Sequence, residues 1–230
     1  MRAPLSVIVP TLNAAPALPG LLAALMEGVE AGLIRELIVS DGGSTDATRE
    51  IAEAAGAAWL AGAPGRGGQL ARGARAARGD WLMFVHADSW PEPGWAEALA
   101  AHMLTRPDRA AAFRLSFRAR GPGARRTAGW ANLRTRAFGL PYGDQGLALS
   151  RDLYEAVGGY PDQPLMEDVA IARALGRRRL ALLPAAITTD AARYQERGWT
   201  RQGAQNLWRL ARYLMGADPA RLARDYRKTP

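Results

Sequence analysis

The 230-residue chain contains no cysteine. That excludes a disulfide framework and any thiolate metal site, and it fits a reducing compartment. Lysine is nearly absent as well: of 30 basic residues, all but Lys228 are arginine. A phosphate grip would then be a planar, bidentate fork rather than an ammonium point charge, although skewed codon usage gives the same bias. No apolar run is long enough to be read as a bilayer span. The start does not look like a signal peptide, because Arg2 is followed almost at once by Pro4 and a short strand-like run. The expected location is therefore the cytoplasm, free or peripheral at the inner face of the membrane. Neither a Walker P-loop nor a dinucleotide fingerprint occurs, since neither spacing is present.

What is present can build a core. Residues of the hydrophobic class make up 48% of the chain, and the length favours one domain over two small ones. The formal charge of +8 points to an anionic partner: nucleic acid, a membrane surface or a phosphorylated small molecule. Charge alone does not choose among these. Aromatic stacking patterns and recognised DNA-binding motifs are absent, so nucleic acid is not the expected partner. No repeat, low-complexity block or linker interrupts the chain.

Residues 5–10, "LSVIVP", form a continuous apolar run with β-branched members, as in a parallel strand covered on both faces. "APALPGLLAALMEG" reads as a helix with prolines near its start, and 36–41, "ELIVSD", as a second buried strand. In "GGSTDATREIAEAAG" the N-cap is Ser44, Thr45 or Asp46 and the helix closes at Gly56. A short "AWL" strand, an arginine-bearing helix through residue 77 and the strand "WLMFVH" (81–86) follow. Such alternation predicts an α/β fold with an open, mainly parallel sheet and helices on both faces, whose ligands bind at the carboxyl ends of the strands. Beyond residue 90 the regularity loosens. Helices are predicted over "PEPGWAEALAAHML", 123–138 and "MEDVAIARALG", and strands over 110–118, "GLALS" and "LALLPAAITT". The tail from about 200 to 227 reads as two helices broken at Gly216, the second with Asp218 as N-cap and Pro219 at N1.

Polar residues gather at the predicted strand ends. Asp41 closes one strand, His86 and Asp88 another, and Asp144, Glu167 and Asp168 sit at later turns. In a parallel sheet such ends converge on one crevice. "SVIVPTLN", "LIVSDGGSTDAT", "GDWLMFVHAD", "GDQG" and "MEDVAIARAL" also stand in the order and rough spacing of the family 2 glycosyltransferases of GT-A fold, which the chain resembles over roughly residues 5–185. Within that family it is similar to the small bacterial branch with His-Ala-Asp in the metal motif, known as radical-SAM- or selenodomain-associated or arsenosugar-biosynthesis glycosyltransferases.

The resemblance implies a Rossmann-like GT-A domain: a nucleotide-sugar half over 1–115, an acceptor half over 116–190 and a helical tail over 191–230. It implies a nucleotide-diphosphate sugar donor, commonly a UDP-sugar, a divalent Mn²⁺ or Mg²⁺ cofactor, and inverting transfer to the hydroxyl of a small-molecule or lipid-linked acceptor. Donor contacts fall to Pro10, Thr11, Asn13, Asp41, Arg66, Gly67, Gln69 and Asp88. Asp41 matches the acid that accepts a hydrogen bond from the base, but Gly42 stands where the family has a second acid. An aspartate before two glycines also shapes turns. Asp88 matches the last aspartate of the metal motif, and a hard cation prefers its oxygen. His86 replaces the first aspartate, with three roles open: metal ligand, phosphate contact or orienting partner for Asp88. Arg66, in a glycine-rich stretch before a helix, is the expected phosphate contact. Arg72 and Arg75 either join it or form a solvated helix face. Asp168 matches the general base, with Glu167 positioning the acceptor or holding Asp168 by charge. A plain acidic helix start gives the same pair. Asp144 and Gln145 match the acceptor-side segment.

In the tail, Leu207, Leu210, Ala211 and Leu214 share a helical face, with Trp208 and Tyr213 as anchors. That stripe packs on the chain's own core, forms a homodimer or lies on a membrane. Beside the transferase stand two other readings: a non-catalytic nucleotide-sugar binder and a basic nucleic-acid module.

Overall fold

The computed structural model describes residues 3–228, with side chains through residue 226, so Arg2 and the Lys228 side chain lie outside the described residues. Strands and helices alternate first: β1 (Leu5–Thr11), α1 (Leu18–Glu30), β2 (Ile34–Asp41), α2 (Thr48–Ala54), β3 (Ala58–Ala61), α3 (Arg66–Ala76) and β4 (Trp81–Phe84). The middle holds β5 (Ser89–Pro91), α4 (Trp95–Thr105), β6 (Ala110–Phe117), α5 (Pro122–Phe138), β7 (Leu147–Ser150), α6 (Arg151–Ala156), α7 (Glu167–Leu175) and β8 (Leu180–Thr189). Three helices follow: α8 (Ala192–Arg197), α9 (Trp199–Leu214) and α10 (Pro219–Lys228).

All the strands join one sheet in the order β3-β2-β1-β4-β7-β6-β8-β5. The β3-β2-β1-β4 block is parallel, as is the β6-β8 pair, whereas β7 and β5 run antiparallel to their neighbours. Alternation within each strand feeds two cores. Val7, Val9 and Met83 meet Leu21 of α1 and Trp95 and Leu99 of α4 on one face. Ile8, Leu82 and Phe84 meet Leu70 of α3 and Ile171 of α7 on the other. Both faces are covered, so these strands read as unbroken apolar runs.

Three expectations need correction. First, the strand read as 81–86 ends at Phe84. Val85 N–H still donates to Ile8 O at 3.1 Å, and then the chain turns, with Ser89 N–H reaching His86 O at 3.0 Å. His86 and Asp88 therefore sit on the loop beyond the strand, joined to β8 by the short β5. Second, the N-cap of α2 is Ala47. Asp46 accepts from Thr48 N–H at 3.1 Å from one position upstream, while Ser44 and Thr45 bond to Asp41 and Asn13 instead. Third, of the α9 stripe only Leu210 packs fully on the chain's own core. The helix buries Gln202, Arg209 and Leu210, leaving Leu207, Trp208 and Leu214 at 49%, 61% and 46% exposure. The cap of α10 is as read: Asp218 Oδ1 accepts from Ala220 N–H at 3.0 Å. Leu210 and Leu222 pack on Met166 and Val169, which docks the tail onto the start of α7.

Trp95 is fully buried, and its Nε1–H donates to Ala24 O at 3.0 Å, tying α4 to α1. Trp95→Ala should lower the unfolding free energy by about 3–5 kcal/mol, read from the midpoint of a urea titration. A loss below 1 kcal/mol would mean that this layer tolerates a cavity of that size.

Candidate active site

The crest of the sheet is pinned by polar side chains at the ends of β1 and β2. Gln69 Nε2 donates to Thr11 O at 2.7 Å and to Ser40 O at 2.8 Å, and its Oε1 accepts from Gly65 N–H at 3.3 Å. Asp41 accepts from the Thr11 hydroxyl at 2.8 Å, from Gly43 and Ser44 N–H at 2.7 Å and from the Ser44 hydroxyl at 2.5 Å. Burial works to raise the Asp41 pKa, but these hydrogen bonds outweigh it and hold it below the usual carboxylate range. Both oxygens are thus occupied inside the protein, which matches the turn-shaping role of this aspartate. A Cβ at Gly42 would come within 3.1 Å of Pro64 Cα and 3.2 Å of the Gln69 amide. The space of a second acid is taken. Arg72 donates to Asp41 O at 2.6 Å and so braces the crest, whereas Arg75 is exposed. Gly67 faces the carbonyls of Pro161 and Gln163, where a Cβ would come as close as 2.2 Å.

Asp88 is held by its backbone: Arg118 Nη1 donates to Asp88 O at 3.0 Å while stacking over Trp90 at 3.8 Å. Burial and then the Arg66 charge keep the His86 imidazole well below its usual pKa, so it is neutral at pH 7. Burial works against the charge of Arg66, yet Glu167, Asp168 and Asp88 outweigh it and raise its pKa. Arg66 Nη1 lies 3.4 Å from Glu167 Oε1.

Asp168 sits at the first turn of α7, entered through Met166 in a left-handed conformation (φ 64°). Only Asn13 (φ 52°) shares that conformation among described non-glycine residues, and both flank the crevice. Such backbone outliers concentrate at functional sites. Asp168 Oδ2 accepts from Gly143 N–H at 2.8 Å and Oδ1 from Val169 N–H at 2.7 Å. Gly143 itself lies against His86, since a Cβ there would stand 2.5 Å from the ring. Asp144 has a buried oxygen without a partner, and burial pushes its pKa up to about 6, opposed by Arg134 and reinforced by Asp168 and Asp88. Burial and then Asp168 also raise Glu167, with Arg66 opposing. Gln145 is fully buried. Its Oε1 accepts from Thr135 Oγ1 at 2.8 Å and Arg134 at 3.2 Å, and its Nε2 donates to Phe113 O at 3.1 Å. The expected acceptor contact at Gln145 is replaced by a structural brace.

Two cavities meet here. The larger, about 550 Å³, is lined by Pro10, Thr11, Asn13, Gly65 and Gln69. The other, about 290 Å³, is lined by Tyr142, Asp144, Met166 and Asp168 and walled by the C-terminal helices. Arg66, His86 and Asp88 belong to both. Asp41, Gly67, Gln145 and Glu167 line neither.

The sequence profile of Glycosyl transferase family 2 matches residues 6–151. The chain belongs to this family. No curated protein gives a significant match. Among solved structures, the fold matches glucosyl-3-phosphoglycerate synthase from Mycobacterium tuberculosis in several complexes. The complex with Mn²⁺, UDP and glucosyl-3-phosphoglycerate is 24% identical, covers 89% of this chain and 78% of that chain, and has a TM-score of 0.58. For the complex with Mn²⁺, UDP-glucose and phosphoglyceric acid the values are 25%, 81%, 70% and 0.58. For the complex with Mg²⁺ and UDP they are 24%, 89%, 78% and 0.58. The mainly parallel sheet is the GT-A fold of these neighbours, and the protein is a family 2 glycosyltransferase.

Several lining residues of this glycosyltransferase escaped the sequence reading. Arg193, Gln202, Asn206, Arg209 and Tyr226 come from α8, α9 and α10, beyond the matched segment. A signal was there: Gln202, Asn206 and Arg209, spaced four and three, put a polar stripe on the same side as Leu210.

Asp144 gives a test of the site's electrostatics. The folded protein holds its proton to about pH 6, whereas an unfolded chain releases it near pH 4. Native protein binds more protons between those values, so stability is lost as the pH rises through that window. Asp144→Asn should therefore match the parent at pH 4 and exceed it at pH 7.5 by up to about 3 kcal/mol in urea melts. The same difference at both pH values would show an ordinary carboxylate.

Proposed function

We propose that the protein is an inverting, metal-dependent transferase that moves a sugar from a UDP-sugar to an acceptor hydroxyl, with Asp168 as the general base. The observation that carries this reading is the junction: a donor-sized cavity and a smaller one meet at Arg66, His86 and Asp88, with Asp168 in the smaller one. The neighbouring synthase structures hold UDP or UDP-glucose with Mn²⁺ or Mg²⁺, which supports the same donor and cation for this chain. His86 in the metal motif supports the His-Ala-Asp branch.

In this reading residues 1–115 carry the donor in the larger cavity, and residues 116–190 shape the acceptor side. Arg66, at the positive N-terminal end of α3, contacts the diphosphate. The donor set also fits a cation. Among the described residues no three His, Asp or Glu side chains gather closely enough to hold a metal alone. A carboxylate from Asp88 and a neutral imidazole from His86 suit an ion that keeps its remaining positions for phosphate oxygens and water, as Mn²⁺ and Mg²⁺ do. The bound ion would offset charge on the departing diphosphate.

Asp168 takes the proton of the acceptor hydroxyl as the oxygen attacks the anomeric carbon. Attack from the smaller cavity, with the diphosphate leaving on the Arg66 side, inverts the anomeric centre. The two backbone N–H bonds fix the carboxylate. Glu167, buried against Arg66, is a positioning residue that anchors the guanidinium.

Calorimetry with UDP, GDP, CDP and ADP, each with and without Mn²⁺, tests the donor side. UDP should bind only with the metal, and Asp88→Ala should abolish that dependence. Asp168→Asn should keep UDP affinity while UDP-glucose turnover falls about 10²–10⁴-fold. Turnover equal to the parent would remove Asp168 from the base role.

A further inference from the structure

The C-terminal helices place unneutralised positive charge on the wall of the smaller cavity. Arg193 of α8 and Arg209 of α9 both line it. Their guanidinium carbons lie 5.0 and 4.9 Å from the centre of the Tyr226 ring, supplied by α10. Arg209 is 8% exposed and donates to Asn206 Oδ1 at 3.1 Å. Among the described residues neither arginine forms an ion pair with a carboxylate. Of the cavity's acids, Asp190 faces Arg118 at 3.8 Å, Asp88 and Asp168 act on Arg66, and Asp144 is nearest in effect to Arg134.

The field around the pair is repulsive. Burial lowers both guanidinium pKa values, and the next contributions are other cations: Arg197 and Arg66 acting on Arg193, and Arg197 and Arg193 acting on Arg209. The attractions of Asp88 and Asp225 come last. For Arg209, at 8% exposure, a desolvated guanidinium without a counter-charge is costly. A second observation concerns the same wall. Gln202 is 3% exposed and lines the cavity. Its Nε2 donates to Asn206 Oδ1 at 3.0 Å, but its Oε1 has no partner.

We propose that this wall is an oxyanion subsite, in which Arg193 and Arg209 grip a carboxylate or phosphate carried by the acceptor and Gln202 accepts a hydrogen bond from one of its hydroxyls. The inference rests on the transferase reading of the cavity and adds the acceptor's class: a small, acidic hydroxyl compound. Two guanidinium forks match the oxygens of either group. A volume of about 290 Å³ is at the low end for ligand cavities and suits a small molecule rather than a polymer end.

The test is a calorimetric titration of protein saturated with UDP and Mn²⁺, using inorganic phosphate, glycerate and glycerol in turn. Phosphate, glycerate or both should bind and glycerol should not, which also tells the two acid groups apart. Arg193→Gln and Arg209→Gln should each weaken anion binding about tenfold or more and leave UDP affinity unchanged. Arg201→Gln, on the exposed side of α9, should change neither. Arg193 is exposed at the cavity rim, so its variant keeps the question open to measurement even if Arg209→Gln fails to fold. Anion binding that survives in Arg193→Gln and in every folded Arg209 variant overturns the proposal, as does its absence from parent protein that holds UDP. Failure of UDP itself would count against the transferase reading, and phosphate titrated into nucleotide-free protein would still judge the arginines.

Discussion

The active site depends on one close contact: the backbone of Gly143, wedged between the His86 ring and the Asp168 carboxylate. Its N–H fixes Asp168 Oδ2 at 2.8 Å, and its α-carbon leaves no room for a methyl group against His86. His86 and Asp168 are therefore spaced by a single backbone unit. Three different parts of the chain supply the pieces: the loop after β4, the turn before β7 and the first turn of α7. Each is tied back to the sheet or its core. Ser89 Oγ lies 3.0 Å from Thr189 Oγ1, Gln145 holds Phe113 O, and Val169 is fully buried. Preorganisation of this kind lets a carboxylate act without rearranging at the moment of reaction.

The donor side uses polar residues in a complementary way. Gln69 and Asp41 spend their hydrogen-bonding capacity on the protein, joining β1, β2 and α3 into one rigid crest. Buried polar groups must be satisfied, and here the partners are the carbonyls and amides that loops at strand ends would otherwise leave open. The cost is fewer polar side chains free to meet a ligand. Arg66 is the exception, kept charged by Glu167, Asp168 and Asp88 and set where both cavities open.

Much of this architecture was legible in the residues. Parallel strands covered on both faces give apolar runs, and those runs located β1, β2 and β8 closely. Of the polar residues at the strand ends, His86, Asp88, Asp144 and Asp168 line the cavities, whereas Asp41 and Glu167 line neither. Individual roles were harder to read, because a motif records residue type and not direction. Asp41, Gln145 and Glu167 carry the chemistry of ligand contacts, yet each turns its side chain toward the protein. The break after Phe84 was hidden because Val85 keeps one strand-like hydrogen bond after the pairing stops. On α9 the leucine stripe splits: Leu210 packs on Met166 and Val169, while polar side chains share its buried side. Arg209 and Gln202 face inward, and Leu207 and Leu214 give way to solvent.

The division of labour along the chain has a consequence for specificity. The family match covers residues 6–151, which hold the crest, Arg66, His86, Asp88 and Gly143. Asp168 and the whole helical wall lie beyond it. The larger cavity is lined mainly from the matched segment, with Pro164, Leu165, Ala223 and Tyr226 added from beyond it, and the smaller one by Tyr142 and Asp144 together with residues from 165 onward. Fold does not fix function, and in this protein the physical reason is visible. Helices α8, α9 and α10 close over the sheet end, and Tyr194 and Trp199 pack against Phe117 of β6. Arg193, Gln202 and Arg209 wall the smaller cavity alone, whereas Leu165 and Tyr226 line both.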